Sequence, residues 1–370
     1  MARKIFISAT SQDCGKTTTS LSLLYQARQR YERIGFIKPI GPKPIDFMGR
    51  RIDTDAATMA QVYGLEHLID AMCPVVVEPG MTQQVLEGKL DVAEFEGCIL
   101  RAVERLEREC DFLIVEGAGH SGVGSVLGLS NARVAAMVGA PVLMVACGGL
   151  GSLVDAVNMN LALYREEGAE VRLLVANKLI PEKRDRILEL LRQAFHTAPF
   201  EVIGGFNYQP VLAHPTLKRV AEVLGIEISG RNGELMRIVH HVQIGAAATQ
   251  RVVDLLQPDT LLTVTSSRDE LLVTLANLYT MPEYRPLIAG LVIPGVAPIS
   301  KITQQILDAS GIPCLRTNKT TGQVFLAITE DVAKLTAEDA EKIALIQQLA
   351  QKRFDFDHID RLFAAPQGGR

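Results

Sequence analysis

The chain has 370 residues, of which 48% are apolar and 22% charged, a balance that supports substantial buried cores. A net charge of −4, without any long basic run, leaves no footprint for nucleic acid. No stretch of eighteen apolar residues occurs, so no membrane-spanning helix is expected, and Met1-Ala2-Arg3-Lys4 leads into a strand rather than a signal-peptide core.

In chain order, short runs rich in Ile, Val, Leu and Phe predict strands at Lys4–Ala9, Arg33–Pro39, Phe112–Val115, Pro141–Ala146, Arg172–Asn177 and Val202–Phe206. They show little polar alternation, the mark of strands buried on both faces of a parallel sheet. Helix-competent stretches lie between them at Thr17–Arg30, Ala56–Val62, Val92–Arg108, Ala132–Val138, Leu153–Glu167 and Glu182–Phe195. The alternation predicts an α/β fold with a doubly wound parallel sheet over residues 1–215.

Residues 216–235, which carry one short helix at Leu217–Leu224, read as a connector. A smaller α/β unit is expected over residues 236–360. Its strands fall at Met236–Val242, Thr260–Thr265, Leu287–Ile293 and Pro313–Thr317. Its helices fall at Ala246–Leu255, Arg268–Tyr279, Ser300–Ser310 and Ala337–Phe354. Residues 361–370 read as a frayed tail.

The most informative segment is Ala9-Thr10-Ser11-Gln12-Asp13-Cys14-Gly15-Lys16-Thr17-Thr18, which joins the first strand to the first helix. A strand, a Gly-Lys-Thr turn and a helix make a phosphate-binding loop (P-loop). Backbone N–H groups at the turn and the positive end of the helix attract phosphate oxygens. Lys16 adds a point charge, and the Thr17 hydroxyl suits a Mg²⁺ shell. The opening glycine of the G-x-x-x-x-G-K-[ST] pattern falls on Thr10, with Ala9 one position earlier.

Three strand ends supply further candidates. The run Val115-Glu116-Gly117-Ala118-Gly119 puts a carboxylate and close-approach glycines at a strand's carboxyl end. Lys38-Pro39 ends another strand, and Asp53 and Asp55 precede a helix, as N-caps or as metal ligands. Asn177 ends a later strand, where its side chain suits either a purine edge or a turn.

The six cysteines, at positions 14, 73, 98, 110, 147 and 314, show no C-x-x-C spacing, which argues against zinc and fits a reducing, cytoplasmic setting. Most are expected to be buried small hydrophobes, with Cys14 accessible in its loop. His240 and His241, on a predicted strand, face opposite ways and are not expected to share a metal. His214 reads as a turn residue, and His120, after the Glu116 loop, is the one histidine placed near a site.

Together these motifs resemble the dethiobiotin synthetase family over approximately residues 1–216, through Thr10, Gly15-Lys16-Thr17, Lys38-Pro39, Asp55-Ala56, Val115–Gly119 and Asn177. The resemblance implies ATP as cofactor, held by Thr10, Asp13, Cys14, Gly15, Lys16, Thr17, Thr18 and Asn177. It implies Mg²⁺ on Thr17, Asp55 and Glu116, with Lys16 and Lys38 as catalytic cations on phosphate or an acid substrate. Gly41 stands where that family often has a substrate-holding Ser, and Ser11 stands where partition ATPases have Lys.

The second half resembles a DRTGG domain through Leu287–Gly295, Gly311–Leu315 and Thr336–Ile343, with the naming motif eroded to Ser266-Ser267-Arg268-Asp269. The same pairing of domains precedes the catalytic domain of bacterial phosphate acetyltransferases, and a chain ending at Arg370 is not expected to transfer acetyl groups. The implied function is an ATP- and Mg²⁺-binding regulatory or sensing module that binds a small-molecule effector and forms a homodimer or higher homo-oligomer. The alternative is an ATP-dependent carbon–nitrogen ligase of the dethiobiotin synthetase or cobyrinic acid diamide synthase type, acting on a small carboxylate.

Overall fold

Each of the six apolar runs of the first half becomes a strand: β1 Arg3–Ala9, β2 Ile34–Ile37, β3 Phe112–Glu116, β4 Val142–Ala146, β5 Val171–Ala176 and β6 Glu201–Gly204. In the computed structural model, which describes residues 2–229, 234–331 and 335–364, they pair in the order β6-β5-β4-β1-β3-β2, all parallel. Apart from the ends of the sheet, the strands are buried along almost their whole length, which explains their continuous apolar character. The doubly wound reading of the sequence holds.

The connecting helices are α1 Lys16–Ala27, α2 Thr54–Tyr63, α3 Val92–Glu109, α4 Asn131–Met137, α5 Leu150–Glu166 and α6 Arg184–Ala194. Local chemistry sets several of their starts. Asp53 caps α2 by accepting from the Asp55 N–H, Asp91 caps α3, and Ser130 caps α4. An antiparallel hairpin, Pro44–Phe47 with Arg50–Asp53, interrupts the stretch between β2 and α2 and is not signalled by the sequence pattern.

The chain divides into two compact units, Met1–Gln209 with Leu335–Arg370, and Pro210–Lys334. The second holds the strands β7 Ile228–Ser229, β8 His241–Ile244, β9 Thr260–Thr263, β10 Ile288–Pro294 and β11 Cys314–Thr317, in the order β7-β11-β10-β9-β8. Only β7, at the edge, is antiparallel. One face of this sheet carries a core of Leu262, Val264, Leu271, Leu275, Leu291 and Ile293; the other carries Leu217, Val220, Leu261, Val292, Leu315 and Val324. The expected connector therefore belongs to this unit, since Leu217–Leu224 and Ile228–Ser229 both build it.

The C-terminal boundary also differs from the sequence reading. Helices α12 Ala340–Arg353 and α13 Phe356–Ala364 return to the first unit, rather than closing the second at residue 360 (α7–α11 are Leu217–Leu224, Thr249–Asp254, Asp269–Tyr279, Lys301–Ser310 and Thr321–Glu330). Phe356 packs on Phe112 of β3 at 5.6 Å between ring centroids, and Phe354 meets Phe206 edge-on at 5.4 Å. Gln26 of α1 donates to the carbonyl of Phe354 at 2.9 Å, and buried Asp360 accepts from Arg3 at 3.1 Å and Tyr31 at 2.7 Å. Residues 361–364, expected to be frayed, are helical, and the remainder of that tail lies outside the described residues. Local periodicity finds the first of these helices, at Ala337–Phe354, but neither the second nor the aromatic contacts that assign both to a unit built a hundred and more residues earlier.

Candidate functional site

The chain leaves β1 at Ala9 and enters α1 at Lys16 through a loop with two left-handed residues, Asp13 at φ 56° and Gly15 at φ 101°. Gly15 is the N-cap of α1, and a Cβ there would collide with the Asn177 side chain, so this position requires glycine. Lys16 is buried, and burial pushes its ammonium down to about 8, against the pull of Glu116. Thr10 is buried at the end of the loop, Asp13 is exposed, and Thr18 is half-buried.

Glu116, at the end of β3, lies next to α1 because β1 and β3 are neighbours in the sheet. It is fully buried and accepts from Thr17 Oγ1 at 3.2 Å and Ser20 Oγ at 2.6 Å. Lys38 follows β2, the next strand out. Its Nζ donates to Glu116 Oε1 at 2.8 Å, Asp55 Oδ2 at 2.7 Å and the Gly117 carbonyl at 3.3 Å. Burial alone lowers the pKa of such a lysine, but Glu116, Asp55 and Asp53 outweigh it and hold Lys38 firmly protonated.

The structure thus brings Lys16, Thr17, Lys38, Asp55 and Glu116 to one point at the carboxyl edge of the sheet. Asp53 is placed differently: Oδ1 accepts from the Asp55 N–H at 2.9 Å and Oδ2 from the Lys43 N–H at 3.0 Å, so it shapes the loop that presents Asp55. Among the described residues no cluster of three or more His, Cys, Asp or Glu has metal-binding geometry. Two carboxylates and a hydroxyl still fit Mg²⁺, a hard cation that usually takes one or two protein carboxylates and fills its shell with phosphate and water. The Lys38 ammonium already sits between those carboxylates, which marks the place as one built for positive charge.

Asn177 turns inward. It is buried, its Nδ2 donates to the Cys14 carbonyl at 2.8 Å, and its Oδ1 accepts from the Phe206 N–H at 2.8 Å. Cys14, expected to be accessible, is fully buried and disulfide-bonded to Cys147 just beyond β4. Cys110 and Cys314 are buried thiols, raised to about 11 and about 12 by burial, as expected of packing residues. His214 packs against His240 within the second unit, ring centroids 5.4 Å apart and tilted by 50°, while exposed His120 accepts from the Gly122 N–H.

Sequence reasoning missed three bracing residues. Ser20 lies one turn after Thr17 on the same helix face, a spacing that could have revealed it. Asn131 donates to the Ala118 carbonyl at 2.6 Å and accepts from the Ala118 N–H at 3.1 Å, fixing the loop after Glu116. Asn160 links the same region to the phosphate loop, accepting from the Ser121 N–H at 2.9 Å and donating to the Thr10 carbonyl at 3.3 Å. The sole local sign of either is an amide placed on the buried side of a helix.

A family model described as an AAA domain matches residues 3–216, and one described as a DRTGG domain matches residues 219–330. The chain is 21% identical to a phosphate acetyltransferase of Nitratidesulfovibrio vulgaris over 97% of its own length and 51% of that protein. It is 26% identical to the ATP-dependent dethiobiotin synthetase BioD of Idiomarina loihiensis over 55% of the chain and 92% of that protein. It is 30% identical to a cobyric acid synthase of Pelotomaculum thermopropionicum over 52% of the chain and 41% of that protein. The chain therefore spans about half the length of the phosphate acetyltransferase it matches. Both resemblances drawn from the motifs hold. The chain belongs to the AAA domain family, with a P-loop unit of dethiobiotin synthetase type followed by a DRTGG domain.

Proposed function

We propose that the first unit binds ATP with Mg²⁺ and that the chain acts as a nucleotide-dependent regulatory module. The observation that carries this reading is the convergence of Lys16, Thr17, Lys38, Asp55 and Glu116 at the start of α1. The phosphates would lie along the loop from Asp13 to Thr18, at the positive end of α1, which begins at Lys16. Thr17, Asp55 and Glu116 would hold the metal, which would supply screening of the phosphate charge. Lys38, held between Asp55 and Glu116 at the same edge of the sheet, is placed to meet a phosphate or an acid group there.

The second unit, Pro210–Lys334, takes an effector or mediates self-association. It is a separate core with an open parallel edge at β8, and such edges favour pairing across a two-fold axis. A cytoplasmic setting and a homodimer belong to this reading.

A second reading is favoured by one observation: the match to dethiobiotin synthetase covers 92% of that protein. On that reading the site phosphorylates a small carboxylate or carbamate and closes an amide. Titration of ATP into the full chain, with Mg²⁺ and then with chelator, tests the shared premise. Mg²⁺-dependent binding supports it, and absence of binding in both conditions overturns it. Turnover of ATP only when a small acid is added would favour the ligase over the regulator.

A further inference from the structure

The first sheet has one topological switch point, between β1 and β4. From β1 the chain crosses by α1 towards β2, and from β4 it crosses by α5 towards β5 on the other side. Ligands of open α/β sheets enter the crevice outside the carboxyl ends of the strands at this point. Its two lips are the phosphate loop after β1 and the segment Cys147-Gly148-Gly149 after β4. The Cys14–Cys147 disulfide crosses from one lip to the other, closing a separation of 133 residues with its Cα atoms 5.3 Å apart.

Cys14 is adjacent to Gly15 and Lys16, so the crosslink acts on the phosphate loop directly. The same loop residue is held a second time, by Asn177 Nδ2 on the Cys14 carbonyl. With the bridge closed, three polar groups of the site are satisfied within the protein. Asn177 is bound to the loop and to Phe206, Lys38 lies between Asp55 and Glu116, and Thr17 donates to Glu116. This arrangement has the features of a latched loop.

We propose that Cys14 and Cys147 form a redox-controlled latch on the phosphate loop, with the disulfide weakening nucleotide binding and reduction restoring it. The inference rests on the nucleotide-binding reading above.

The geometry sets the course of the exchange. Cys14 is fully buried and Cys147 half-buried, so a thiolate of a small or protein dithiol attacks Cys147 Sγ. The Cys14–Cys147 bond breaks, and Cys14 departs as a thiolate and takes up a proton. Ser11 Oγ, 3.0 Å from Cys14 Sγ, is placed to donate to the departing sulfur, and the adjacent start of α1 favours its charge. The reductant's second thiol then attacks its own sulfur in the mixed disulfide, releasing Cys147 as a thiol and leaving the dithiol as a cyclic disulfide. Two electrons and two protons pass from the dithiol to the two cysteines. Reoxidation by a small disulfide such as oxidised glutathione reverses the sequence.

The freed Cys14 allows the loop to move away from β4 and β5, which releases Asn177 from its carbonyl. A protein held mostly in a state that cannot bind shows a dissociation constant raised by the inverse of the competent fraction.

The test uses the full chain, treated with dithiothreitol or with oxidised glutathione, and titrated with MgATP by calorimetry. Alkylation and peptide mass spectrometry report the state of both cysteines in each sample. The expected result is a Cys14–Cys147 disulfide in the oxidised sample and ATP affinity at least about tenfold weaker there than after reduction, reversibly. The Cys147→Ser variant should bind like the reduced protein under both treatments, while Cys98→Ser keeps the redox response. Circular dichroism checks that the variant is folded, and the reversible wild-type comparison stands without it.

Equal affinity in the two states, tighter binding when oxidised, or both thiols alkylated after oxidation would overturn the latch and leave the nucleotide reading intact. No binding in either state would overturn the nucleotide reading, and the latch with it.

Discussion

Lys38 and Glu116 form an ion pair closed off from solvent, with Nζ 2.8 Å from Oε1 and side-chain exposures of 3% and 0%. Asp55 stands on the other side of the same ammonium at 2.7 Å. The two carboxylates come from different elements, the end of β3 and the first turn of α2, so the lysine ties the sheet to the hairpin-and-helix segment beside it. Such a pair is costly to assemble and more costly to break, because removing one partner leaves an uncompensated buried charge.

Lys38→Met should therefore destabilise the first unit by about 3–5 kcal/mol, measured by urea unfolding in the absence of divalent cations. Added Mg²⁺ should recover part of the loss, since it supplies the missing positive charge to Asp55 and Glu116. A loss under about 1 kcal/mol, the size expected of a solvated pair, would show that the carboxylates are not held as an isolated buried cluster.

Lys16 gives a pH signature of opposite sign. Its folded-state value of about 8 lies below its ordinary 10.5, so the unfolded chain binds more protons between those limits. The cost of burying this charge is complete below about pH 8 and fades as pH rises towards 10.5. Lys38, held above its ordinary value, contributes stability that is complete below 10.5 and is lost only as pH climbs through its folded value. A bound phosphate favours the charged form of Lys16. Nucleotide binding at about pH 8.5 should therefore take up a proton, seen as an enthalpy that varies with buffer ionisation. In Lys16→Arg, which stays charged throughout, that uptake should vanish.

The returning C-terminal helices set a third expectation. Phe354 and Phe356 are buried against Phe206, just after β6, and Phe112 of β3, and truncating such a side chain to alanine costs about 3–5 kcal/mol. Phe356→Ala should lower the unfolding midpoint of the P-loop unit and leave that of Pro210–Lys334 unchanged. A chain in which residues 210–334 are replaced by a flexible linker should fold with α12 and α13 in place, while residues 1–209 alone should expose apolar surface. Equal stability of these two chains, measured by thermal unfolding, would show that the helices are dispensable to the first unit.

The six central strands were legible because burial on both faces leaves each as an unbroken apolar run, as in Phe112–Glu116 and Val171–Ala176. Lys16, Thr17, Lys38, Asp55 and Glu116 were legible for a related reason. Each lies at a strand end or a helix start, where a parallel sheet gathers its functional groups on one edge. The remainder depends on contacts between residues far apart in sequence. Nothing near Cys14 announces Cys147, and nothing near Phe356 announces Phe112. Asn131 and Asn160 sit in ordinary-looking helices, and their role follows only from the loop carbonyls and amides they meet. Asn177 was visible as a strand-end amide, but its partners, Cys14 and Phe206, lie 163 and 29 residues away.

The central claim is that the loop around Lys16 binds the phosphates of a nucleotide, and calorimetric titration of MgATP into the reduced wild type and Lys16→Ala tests it most directly. Loss of a hydrogen bond to a charged group costs about 1.5–3 kcal/mol, so affinity should fall roughly ten- to a hundredfold. Unchanged ATP affinity in a folded Lys16→Ala variant would contradict the account.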